Sequence, residues 1–186
     1  MSTGTLLAII IPVAVVIVLI TLAVVLDRRR RRRLRERFGP EYDHTVDEAG
    51  GRRAAEYDLS RREERHESLD LRPLDPGLRD RYAREWRGVQ GQFVDRPESA
   101  VHEADRLVTA LMRERGYPSG DFEQQARDLS VEHGRTLEHY RAAHEVDLLS
   151  ADHRATTEQL RGAMVHYRSL FDELLSDGDR PDSGRS

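Results

Sequence analysis

The chain has 186 residues, a formal net charge of −4 and no cysteine, which excludes disulfides, cysteine nucleophiles and thiolate metal sites and fits a reducing compartment. All thirty basic residues are arginine, so a P-loop lysine and a lysine Schiff base are excluded too; this usage suggests a GC-rich genome. Charge is unevenly spread: residues 27–37 carry a net of +6 and residues 38–186 a net of −10, and an acidic body argues against nucleic acid as a partner.

The first element is apolar. Sixteen of the twenty-two residues from Thr5 to Leu26 are Leu, Ile or Val, and none is charged. Twenty-two helical residues rise roughly 33 Å, against a hydrocarbon core of about 30 Å. At roughly −0.3 to −0.6 kcal/mol per Leu, Ile or Val, these side chains contribute on the order of −5 to −10 kcal/mol towards insertion. Pro12 is tolerable in a membrane helix where it would break a soluble one. Residues 5–26 therefore read as a single transmembrane helix after a four-residue N-terminus.

Orientation follows from the flanks. Arg28, Arg29, Arg30, Arg31, Arg32, Arg33, Arg35 and Arg37 crowd the C-terminal side, whereas residues 1–4 carry no basic side chain. Basic residues stay cytoplasmic, which predicts the N-terminus outside the plasma membrane and residues 27–186 inside. A cleaved signal peptide would put its charges before the apolar run, not after it. The basic segment 27–37 is a topology signal first and a surface for anionic lipid headgroups second, each arginine there contributing about 1 kcal/mol.

Phe38-Gly39-Pro40 breaks the helix. Residues 41–49 place Tyr42, Val46 and Ala49 on a weak helical stripe, and Gly50-Gly51 interrupts again. Arg52 to Leu69 is rich in helix formers but nearly all polar. The segment 38–74 thus reads as a charged helical spacer held by i,i+4 pairs, closed by a hinge at 72–77.

Residues 75–176 have a different character. They hold eight of the eleven aromatic residues and clean helical periodicity. Asp75 and Pro76 start a helix whose buried stripe is Leu78, Tyr82, Trp86, Val89 and Phe93. Gly88 and Gly91 in that helix suggest close approach of another backbone, with an ordinary imperfect helix as the alternative. Asp95-x-x-Glu98 reads as a capping box for a second helix on Val101, Ala104, Leu107, Val108, Leu111 and Met112, stopped at Gly116-Tyr117-Pro118. Asp121-x-x-Gln124 opens a third, ending near Gly134. A fourth runs on Leu137, Tyr140, Ala143 and Val146. The fifth is expected from about Asp152, on Leu160, Met164, Tyr167, Phe171 and Leu174. The predicted architecture is all-α: a transmembrane helix, a polar helical spacer, a bundle of about five helices, and a disordered tail over 177–186.

The strings FGPEYD (38–43), LRPL (71–74), WRGVQGQFVD (86–95), RGYP with DFE (115–123), YRAAHE (140–145) and MVHYRSLFDELL (164–175) resemble a family of short uncharacterised proteins from GC-rich bacteria. Its members carry an N-terminal membrane segment and usually bear the label hypothetical or secreted. The resemblance implies a shared architecture and no particular chemistry.

Chemistry is sparse. Glu63-x-x-His66 is a lone motif in the spacer, where a di-iron bundle needs two on facing helices. His139 and His144, five apart, suit one metal poorly, but His144 and Asp147 are three apart, and His166 on the last helix could join them. His139, His144, Asp147 and His166 are thus the candidate metal or acid/base set, with surface or cap histidines as the alternative. Tyr140, Arg141, His144 and Glu145 mix aromatic area with polar reach, as interaction faces do; a buried ring with its hydroxyl at the surface would look the same. Three functions remain open. The first is a non-catalytic, membrane-anchored cytoplasmic interaction or scaffold module without cofactor, meeting an unknown protein partner. The second is a small helical metal protein or enzyme. The third is a homo-oligomer assembled through residues 41–69.

Overall fold

The computed structural model describes residues 3–176, with side chains from residue 15 onward. Among the described residues it is all-α, with no strand: α1 (Thr3–Phe38), α2 (Pro40–Glu48), α3 (Arg52–Glu67), α4 (Pro76–Gln92), α5 (Pro97–Glu114), α6 (Phe122–His133), α7 (Leu137–Ala151) and α8 (Thr157–Ser176). The expected tail, 177–186, lies outside the described residues.

Side-chain caps set three of the helix starts, those of α4, α6 and α8. The Asp75 carboxylate accepts from the Gly77 amide at 2.8 Å and Asp121 accepts from Gln124 at 2.8 Å, each satisfying an amide with no partner inside its helix. Two expected starts are displaced. Asp95 does not cap α5; Arg96 holds that position and makes no side-chain cap. The last helix begins at Thr157 rather than near Asp152, because Thr156 and Gln159 form the capping box: the Thr156 hydroxyl accepts from the Gln159 amide, and the Gln159 side chain accepts from the Thr156 amide at 2.8 Å. Gly88 and Gly91 have no atom within 4 Å of where a Cβ would stand, so neither serves close helix approach.

The larger core is the expected five-helix bundle, α4 to α8. α8 packs on α7 and α5, and α4 covers α5. Trp86 is 4 % exposed and stacks on Phe171 of α8 with ring centroids 4.7 Å apart.

The charged stretch 38–74 differs from a free-standing spacer. Leu34 and Phe38 at the end of α1, Tyr42 of α2, Leu59 of α3 and Val131 of α6 form a second buried cluster. In the stretch offered for self-association, 41–69, Tyr42, Ala55 and Leu59 are spent inside the chain, whereas Tyr57 remains exposed. One charge is spent there too: Glu41 is fully buried and accepts from Arg62 at 2.8 Å and from both terminal nitrogens of Arg141 at 2.6 and 2.9 Å. Burial alone would push this carboxyl up, but the two guanidiniums outweigh it and hold it below the ordinary value. α6 joins the two cores, and Gly134 at its end is required there: a Cβ would stand 2.3 Å from the Phe38 carbonyl oxygen.

α1 runs unbroken from the apolar segment through the arginines into the second core. Of the predicted span 5–26, the side chains of residues 5–14 lie outside the described residues. Among those described, Val15 to Ile20 are each more than half exposed, and no helix is long and apolar enough to cross a membrane.

Candidate functional site

The arginine segment divides in use. Arg30 donates to the Ser60 hydroxyl, Arg33 and Arg37 both reach Glu63 at 2.9 Å, and Arg35 reaches Asp43 at 2.7 Å. These four tie α1 to α2 and α3. Arg32 pairs along its own helix with Glu36 at 2.7 Å. Arg28 and Arg29 are exposed, and Arg28, Arg31, Arg32 and Arg35 with Glu36 line an open groove of about 370 Å³ on α1.

The mixed aromatic face turns mostly inward. Tyr140 is 1 % exposed, and its hydroxyl donates to the Gln125 side chain at 3.3 Å. Arg141 is held by Glu41. His144 is partly buried under Phe122, the rings parallel with centroids 3.8 Å apart. Glu145 is the one of the four that is exposed.

The four metal candidates separate into two pairs. His139 and His166 stack on each other with centroids 4.8 Å apart, and burial lowers the His166 pKa, followed by the neighbouring His139 charge. His144 and Asp147 instead meet Asp105 of α5. One ligand atom from each of these three lies within 4.8 Å of the others.

The three residues sit where α5 and α7 pack together. His102 and Asp105 are one turn apart on α5, and His144 and Asp147 are one turn apart on α7, so each pair shares a helix face. Across the helices, His144 Nδ1 lies 3.5 Å from Asp105 Oδ1 and His102 Nδ1 lies 3.5 Å from Asp147 Oδ1. Tyr167 of α8 donates its hydroxyl to Asp105 Oδ1 at 2.9 Å. The buried Nδ1 of His144 makes no hydrogen bond. Burial, then the charge of Asp105, pushes the Asp147 carboxyl above its ordinary value. Beside it, Gln92, Glu98, Ser99, His102 and Asp147 line part of an open groove of about 430 Å³.

His102 and Asp105 escaped the sequence reading because they lie about forty residues from their partners. A trace was available: His102-Glu103-Ala104-Asp105 and His144-Glu145-Val146-Asp147 repeat one pattern, His-Glu-x-Asp. Comparisons with family models, curated proteins and solved structures found no match to the chain.

Proposed function

We propose that this chain is a single-pass plasma-membrane protein and a non-catalytic interaction module, with its N-terminus outside and its helical body held against the cytoplasmic face. The observation that carries this reading is α1. One helix bears the uncharged run 5–26, then eight arginines, then Leu34 and Phe38, which are buried in the second core. The exposed apolar side chains from Val15 onward need an environment other than water. The arginines follow on the side that topology rules keep cytoplasmic.

This arrangement makes the body a fixture of the membrane surface rather than a domain on a leash. From Leu26 to Leu34 a helix rises about 12 Å, so the second core begins within two or three turns of the end of the apolar run. Arg28 and Arg29 lie at headgroup level and meet anionic lipid. Attachment at that depth concentrates the module near membrane-associated protein partners.

Reporter fusions to the C-terminus of the full chain test this directly. A fluorescent protein that matures only in the cytoplasm should be bright and remain with membranes through carbonate extraction, and alkaline phosphatase at the same position should be inactive. Active phosphatase would invert the topology, and a carbonate-soluble chain would remove the anchor.

A further inference from the structure

Independently of the anchor, we infer that Asp105, His144 and Asp147, with His102 as the fourth ligand, form a binding site for one divalent first-row transition ion of the zinc type. The ligand set is two imidazoles and two carboxylates presented from two packed helices. Imidazole suits zinc, iron, copper and nickel, whereas magnesium and calcium take oxygen ligands alone.

The spacing fits. Metal–ligand bonds near 2.1 Å put neighbouring ligand atoms of a tetrahedral ion about 3.4 Å apart. The cross-helix His–Asp distances are 3.5 Å, and the widest separation among the three inner ligands is within 4.8 Å. His102 lies outside that set of three and reaches it through Asp147, so its exposed side chain must turn inward to complete the site.

The charge fits as well. In a chain with thirty arginines, two more deeply buried carboxylates take arginine partners: Glu41 takes Arg62 and Arg141, and Asp128 takes Arg65. Asp105 and Asp147 face each other with partners drawn from histidine and tyrosine: Tyr167 and His144 for Asp105, His102 for Asp147. Asp147 is 8 % exposed. Two carboxylates close together and shielded from water favour a bound cation.

The surroundings also orient the ligands. The Tyr167 hydroxyl holds one oxygen of Asp105, and the flat stack of Phe122 fixes the His144 ring, whose buried nitrogen makes no hydrogen bond. Outer contacts of this sort set ligand geometry at metal sites. His102 has 63 % of its side chain exposed and lies on the groove beside Asp147, which provides the entry path.

The test uses the full chain in detergent, without a histidine tag and stripped by a chelator. It is titrated with Co²⁺, followed by its visible absorption, and then with Zn²⁺ as competitor. One saturable equivalent of Co²⁺, displaced by Zn²⁺, is expected. Asp147→Asn and His144→Gln should each weaken binding by about 100-fold, since loss of even an outer partner costs 10–100-fold. His102→Gln, at an exposed side chain that folding does not need, should weaken it by about tenfold or more, and His139→Gln should leave it unchanged. Absence of a saturable equivalent overturns the site. So does binding that survives the His102 and Asp147 substitutions, or that is lost with His139→Gln.

Discussion

Glu41 shows how a residue in a highly charged segment can be structural. Its carboxylate is fully buried and holds Arg62 of α3 and Arg141 of α7, so one side chain fastens α2 to both. Removing one member of a buried ionic cluster strands the others, at about 3 kcal/mol or more. Glu41→Ala should lower stability by that amount in chemical denaturation, more than Glu145→Ala on the exposed side of α7. Trp86→Ala should cost about 3–5 kcal/mol, because its ring stacks on Phe171 in the larger core. Among the groups that set the pH dependence, Glu41 and His66 weaken the fold on acidification, the lowered His166 acts in the same sense, and the raised Asp147 opposes them near the carboxylate range. Glu41 is held below its ordinary 4.5, and burial, the leading cause, takes His66 below its ordinary 6.5. Each folded value lies under its unfolded one, so both contributions are present above pH 6.5 and are lost on acidification, His66 first and Glu41 below 4.5. The thermal midpoint should therefore fall between pH 7 and pH 4, and Glu41→Gln should remove the lower part of that fall. Arg141 was legible only as a charge beside an aromatic; its partner lies 100 residues away, and a sequence shows no pairing at that distance.

Among the elements, α6 carries two loads. Ala126 and Leu129 pack into the five-helix core, and Val131 packs into the cluster with α1, α2 and α3. Gly134→Ala should push the end of α6 off Phe38 and cost about 1–3 kcal/mol, visible as loss of hydrogen-exchange protection in α1 and α6. Thr156→Ala should cost about 1 kcal/mol through the lost cap of α8. The helices of the bundle were legible because stripes and caps are local: Asp75 and Asp121 cap where their spacing says. The start of α8 was misplaced because Asp152 offers an equally plausible acidic start, and the box that forms, Thr156-x-x-Gln159, lies four residues on. The packing of α2 and α3 was hidden because it rests on few apolar residues, Tyr42, Ala55 and Leu59, together with ionic groups such as Glu41 that apolar periodicity does not register. The His-Glu-x-Asp repeat was present in the sequence, but only the packing of α5 on α7 brings its two copies together.

At the scale of the whole molecule, α1 is continuous from its apolar part into the body, where Leu34 and Phe38 are buried. A flexible spacer would let the body explore a volume set by its length. A helix buried at Leu34 and Phe38, pinned by Arg33 and Arg37 on Glu63, allows one placement. The absence of native cysteine makes this measurable with two introduced labels. Spin labels at Ile20→Cys in the apolar part of α1 and Leu148→Cys on α7, both exposed positions, should give a single narrow distance distribution by pulsed electron resonance in lipid nanodiscs. A broad distribution, spread as for a flexible tether, would contradict the account.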